Sequence, residues 1–64
     1  MKHYVVALDS SGETIGTVFE TDNLDKALDD SGERNHQMNG KPVWTQFVDG
    51  SWKRVTGGFE VVSE

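Results

Sequence analysis

The chain has no cysteine. That excludes a disulfide staple and a thiolate zinc site, and it gives no sign of an oxidising compartment. Positive charge is scarce: six Lys and Arg stand against eleven Asp and Glu, for a net charge of −5. Non-specific nucleic-acid binding needs clustered cations to displace counterions, so nucleic acid is a disfavoured partner, and so is an anionic membrane surface. No apolar run is long enough to span a bilayer, and Met1-Lys2-His3 does not lead into a signal-peptide apolar core. The expectation is a cytoplasmic protein with no membrane partner. With 64 residues, residues 1–64 are expected to form one domain. A chain this short buries only about 60% of the surface its unfolded form exposes. Small domains without staples often gain stability by self-association, so a homodimer is among the expected assemblies.

What the chain does have is concentrated between Pro42 and Val55, PVWTQFVDGSWKRV, its densest hydrophobic and aromatic stretch. Two short β-type segments flank Asp49-Gly50, a strong hairpin signal. Both tryptophans lie here, and the hairpin is expected at the centre of the sheet. Side chains alternate faces along a strand. A two-residue turn at Asp49-Gly50 pairs Phe47 with Trp52 and leaves Trp44 beside Val55. A type I turn with a bulge at Gly50 instead puts Trp44, Trp52 and Arg54 on one face, with Val43, Thr45, Phe47, Lys53 and Val55 on the other. Sequence alone leaves both registers open. In either, both faces carry an aromatic, and one short helix can cover only one face.

Taken in order, His3–Leu8 reads as a strand, Asp9–Gly12 as a turn and Thr14–Glu20 as a second strand forming a hairpin with the first. A four-residue loop places Tyr4, Val6, Leu8, Ile15 and Phe19 on the expected core face. Gly16 inside the second strand suggests a bulge or a close backbone approach. Thr21 or Asp22 can cap a short helix over about Asn23–Ser31, with an apolar stripe of Leu24, Ala27 and Leu28 facing the core and Gly32 as its stop. Gly32–Lys41 reads as a surface loop, with Asn39-Gly40 turning into the third strand. Gly57-Gly58 breaks the chain before a last strand at Phe59–Val62. The expected class is α+β: a small antiparallel sheet of four to five strands with one short helix on one face, in the order β-β-α-β-β-β.

No catalytic constellation emerges. Asp9–Glu20 has Asp first and Glu twelfth, as a calcium loop does, but its glycine falls at the fourth place and Ser10-Ser11 lack the carboxylates. His3 and His36 have no pattern of further ligands around them. The serines have no nucleophile-elbow context, and Gly57-Gly58 precedes a strand rather than a phosphate-binding helix. The expectation is a non-enzymatic protein with no cofactor and no metal. Two surfaces remain. Trp44, Phe47, Trp52 and Arg54 are the residue types that protein interfaces enrich; with Lys53 they could also stack single-stranded bases. Asp25, Asp29 and Asp30 form an acidic helix face, read either as solvated surface or as a decoy for a nucleic-acid-binding groove. Asp29 and Asp30 are expected near the helix C-terminus, where negative charge is unfavourable.

The run Glu20–Leu28, ETDNLDKAL, following a hairpin, resembles a pattern found among very small phage-encoded proteins that bind and inhibit host enzymes. The resemblance implies a protein-binding inhibitor or accessory protein, and it carries over no functional residue. The expected partner is therefore another protein, of unidentified type.

Overall fold

The chain runs β1 (His3–Leu8), β2 (Thr14–Thr21), α1 (Leu24–Met38), β3 (Val43–Gln46), β4 (Trp52–Val55) and β5 (Gly58–Ser63). The structure is a computed structural model describing residues 1–64. The strands form two antiparallel sheets rather than one of four or five strands. The first is three-stranded, in the order β2-β1-β5, and the second is the β3–β4 hairpin. The hairpin is thus not the centre of the sheet; β1 is. The reason lies in HYVVAL, where Val5, Val6 and Ala7 are buried in succession. Burial on both faces of consecutive residues is the mark of a central strand, whereas β3 buries alternate residues.

The face of β1 that points to the core carries Val5 and Ala7, not Tyr4, Val6 and Leu8. Both parities of this strand are apolar, so alternation could not choose between them. Its neighbours chose: Val61 pairs with Val5 and Phe59 with Ala7, and both pack into the core. On the other side β2 departs twice from regular pairing. Val5 faces Phe19 while Val6 faces Thr17, and Ala7 faces Gly16 while Leu8 faces Thr14. The extra residues are Val18 and Ile15. A bulge lets two successive side chains turn the same way, so Val18 and Phe19 both reach the core. Gly16 is also a point of close approach: a Cβ there would lie 2.6 Å from the Phe47 ring.

The helix is longer than its apolar stripe suggests. Asn23, rather than Thr21 or Asp22, is the N-cap; its side chain accepts from the Lys26 N–H at 3.3 Å. Gly32 does not stop it. The stop is Asn39, left-handed at φ 50°, whose N–H donates to the Asn35 carbonyl. A glycine inside a helix costs about 1 kcal/mol relative to alanine. Against that, burial of the Met38 side chain is worth about 1.5–3 kcal/mol. Asn35 adds a two-point contact with Phe59: its Nδ2 donates to the carbonyl at 3.0 Å, and its Oδ1 accepts from the N–H at 2.9 Å. Tertiary contacts outweigh local propensity, and the last two turns form. The buried line is Ala27, Ser31 and Met38. Leu24 and Leu28 are not in it; Leu28 is 51% exposed.

Two further contacts join hairpin to body. The Val48 N–H donates to the Thr17 carbonyl on the outer edge of β2 at 3.0 Å. Phe47 and Val55 enter the core cluster. Gly57 admits the return of the chain: its N–H donates to the Leu8 carbonyl, and a Cβ there would collide with the Asp9 carbonyl.

Candidate functional site

The hairpin turn decides which side chains share a face. The Gly50 N–H donates to the Phe47 carbonyl at 2.9 Å, the Phe47 N–H donates to the Ser51 carbonyl at 2.8 Å, and Gly50 has φ 89°. This is the type I turn with a glycine bulge. Asp49 Oδ1 secures it by accepting from the Ser51 N–H at 2.9 Å and its hydroxyl at 2.6 Å. Those bonds, the hydroxyl first, hold the Asp49 carboxyl below the usual carboxylate range. The resulting register pairs Val43 with Val55, Trp44 with Arg54, Thr45 with Lys53 and Gln46 with Trp52.

The two faces then differ sharply. Thr45, Phe47 and Val55 are buried inward, and the Lys53 ammonium lies 5.1 Å from the centre of the Phe47 ring. Trp44, Gln46, Trp52 and Arg54 point outward. Trp44 is 70% exposed and Trp52 60%. They are diagonal neighbours across the two strands, within reach of one another for side chains of this size. Phe47 belongs elsewhere: at 4% exposure it is core, not surface. Of the four hairpin residues expected at a binding surface, the fold brings Trp44, Trp52 and Arg54 together and removes Phe47, because a residue directly before the turn shares the parity of Thr45.

Beside β3 lies a half-open cleft of about 490 Å³. Met38 and Phe47 form its buried wall, the two indoles its outer rim, and Arg34 and Gln37 the side contributed by α1. These α1 residues fall in the stretch expected to be a loop. A signal was available in the spacing: Asp30 with Arg34, and Glu33 with Gln37, are i,i+4 pairs. The structure joins both, Arg34 Nε to Asp30 Oδ1 at 2.5 Å and Gln37 Nε2 to Glu33 Oε1 at 3.2 Å.

The acidic helix face is rearranged by the longer helix. Asp25 and Asp29 are exposed, while Asp30 is half-buried and paired with Arg34. Asp29 and Asp30 lie mid-helix instead of at its C-terminus, so the adverse dipole contact that set them apart is absent. His3 is buried, its Nδ1 2.6 Å from the Ser63 hydroxyl, and His36 is exposed near the end of α1.

Charge is divided unevenly over the molecule. Residues 41–55 carry Lys41, Lys53 and Arg54 against Asp49, a net +2; the rest carries three cations against ten carboxylates, a net −7. Neither Lys41, Lys53 nor Arg54 is in an ion pair. No helix is long and apolar enough to cross a membrane. Comparison with protein families, curated proteins and solved structures finds no match.

Proposed function

We propose that this protein is a non-enzymatic protein-interaction module, of the inhibitor or accessory type, whose contact surface is the outer face of the β3–β4 hairpin. The observation that carries the reading is the exposure of Trp44 and Trp52 side by side on one face, at 70% and 60%. Tryptophan and arginine dominate interface hot spots, and Arg54 lies directly across from Trp44. Two indoles left in water cost solvation free energy, which a partner covering them would recover. The partner is a different protein rather than a second copy, because a two-fold contact through this face would bring two hairpins of net charge +2 together.

The test compares the native chain with Trp44→Ala plus Trp52→Ala. Both indoles are exposed, so the double variant keeps its unfolding free energy in denaturant melts to within about 0.5 kcal/mol per site. Immobilised native protein retains a partner from lysate of the producing cell, and the variant loses it. Equal retention by the folded variant would place the contact elsewhere.

A second reading rests on the charge division. The +2 hairpin with two exposed indoles has the ingredients of a single-strand stacking platform. The net −7 of the remainder opposes a polyanion, which is why it ranks second. Binding of oligothymidylate that weakens steeply with salt would promote it.

A further inference from the structure

Resting on that interface reading, we propose that the cleft takes up an extended acidic segment of the partner protein as a third strand alongside β3. The ground is a set of backbone groups rather than side chains. The Phe47–Ser51 pair is hydrogen-bonded across the hairpin. In an antiparallel pair, bonded and non-bonded positions alternate. Thr45–Lys53 and Val43–Val55 are therefore also bonded pairs, and the peptide groups of Trp44 and Gln46 point away from β4. Both residues line the cleft, and their N–H and C=O groups have no partner among the backbone bonds outside the ladders.

The peptide groups of Trp52 and Arg54 on the outer edge of β4 are likewise free, whereas the two outer edges of the three-stranded sheet are treated differently. On β5, the outward peptide groups of Phe59 are taken by the Asn35 side chain. On β2, the Thr17 carbonyl is taken by Val48. Native proteins block or cover free strand edges because an open one pairs with other chains. Here two edges are closed at specific points, while the edge of β3 opens onto a cleft whose volume is in the range of binding sites. Strand addition uses such an edge for affinity and alternate side-chain pockets for specificity.

The charge of the occupant follows from its surroundings. The cleft wall itself holds one cation, Arg34, which is paired with Asp30; the attraction comes from the hairpin beside it, net +2, whose Lys41, Lys53 and Arg54 have no ion-pair partner and whose single carboxylate, Asp49, is engaged by Ser51. A strand entering here places every second side chain toward Met38 and the others toward solvent, on the face that carries Arg54 and within the positive field of the hairpin. The fitting segment alternates apolar and acidic residues. A nucleic acid would satisfy the cations but not the peptide groups of Trp44 and Gln46.

The test uses the full chain, isotope-labelled, titrated separately with four probes: acetyl-Val-Glu-Val-Glu-Val-Glu-amide, its lysine-for-glutamate counterpart, the acidic peptide N-methylated at alternate nitrogens in either phase, and oligothymidylate. The acidic peptide is expected to shift the amide signals of Trp44 and Gln46 and to bind at least about tenfold more tightly than the lysine peptide. N-methylation in one phase should weaken it by about tenfold or more, through loss of edge hydrogen bonds. Gln46→Pro removes one edge donor but no bond to β4, and proline is tolerated at such positions; the folded variant should show the same loss. No binding of the acidic peptide at about millimolar concentration overturns the proposal. So does equal binding of both N-methylated forms, which would mean that side chains alone hold the peptide. Tighter binding of oligothymidylate than of the acidic peptide overturns it in favour of nucleic acid. If the partner captured through the indoles is also captured by folded Gln46→Pro with undiminished affinity, strand addition falls while the interface reading stands.

Discussion

The two sheets of this protein use the same hairpin chemistry to opposite ends. In the body, β1 and β2 join through Asp9-Ser10-Ser11-Gly12, where Asp9 Oδ1 accepts from the Ser11 N–H and hydroxyl. In the hairpin, β3 and β4 join through Asp49-Gly50-Ser51, where Asp49 does the same with Ser51. Yet the body has its apolar face roofed by α1, while the hairpin buries one face against the body and leaves two indoles on the other. One helix of 15 residues can roof a three-stranded sheet; it has no second side to offer the hairpin. The hairpin is also where acidic charge gives way to basic charge. A region held by Phe47, Val55 and the Val48–Thr17 hydrogen bond, uncovered on its far face and opposite in charge to the rest, presents that far face as a surface.

The sharpest way to break the contrast is to cut the anchor. Phe47→Ala removes the ring that packs against Gly16 and should cost about 3–5 kcal/mol in urea melts. Domain stabilities are about 5–15 kcal/mol, so this is a large share for a chain of this size. A loss below about 1 kcal/mol would show that the hairpin is held by something other than Phe47. Next comes the clamp within the body. Asn35→Ala strands the N–H and carbonyl of Phe59 and should cost about 1–3 kcal/mol. Hydrogen exchange at the Phe59 amide should quicken with it; unchanged exchange would mean that the edge of β5 does not depend on α1.

Leu28→Ala sharpens the comparison from the other side. Leu28 reads as a core leucine in sequence but is half exposed, so the change should cost less than about 1 kcal/mol. A cost near the 2–5 kcal/mol of a buried leucine would place it under the body after all. The smallest effect concerns acid. Asp49 titrates below the ordinary carboxylate value of 3.8, chiefly through the Ser51 hydroxyl. Its contribution is complete above that value and is lost as pH falls through the lowered folded pKa. Asp49→Asn keeps an acceptor but removes the titration, so stability should fall less steeply below about pH 4. Asp9, lowered first by the Ser11 hydroxyl, should add to the flattening when it too is changed to Asn. Identical acid limbs for the native chain and the double variant would mean that neither turn is coupled to folding.

The sequence alone determined the element order, the α+β class, both turn positions and the two candidate registers of the hairpin. It did so because turns and alternation are local: Asp49-Gly50 needs a positive φ, and Trp44 and Phe47 differ in parity whatever surrounds them. Tertiary structure decided three things that local rules leave open. It chose the core face of β1, because HYVVAL is apolar on both parities and only Phe59, Val61 and the roof of α1 break the tie. It carried α1 past Gly32 to Met38, because the last turns present buried Met38 with half-buried Arg34 and exposed Asn35 beside it, whose value appears only when Phe59 is there to meet them. And it set the hairpin beside the sheet instead of in it, because the edge of β2 meets Val48 at one point and then diverges, which opens the cleft and leaves Trp44 and Gln46 with unpaired backbone. Long-range pairing depends on which distant surfaces arrive together, and a reading of neighbouring residues does not contain that information.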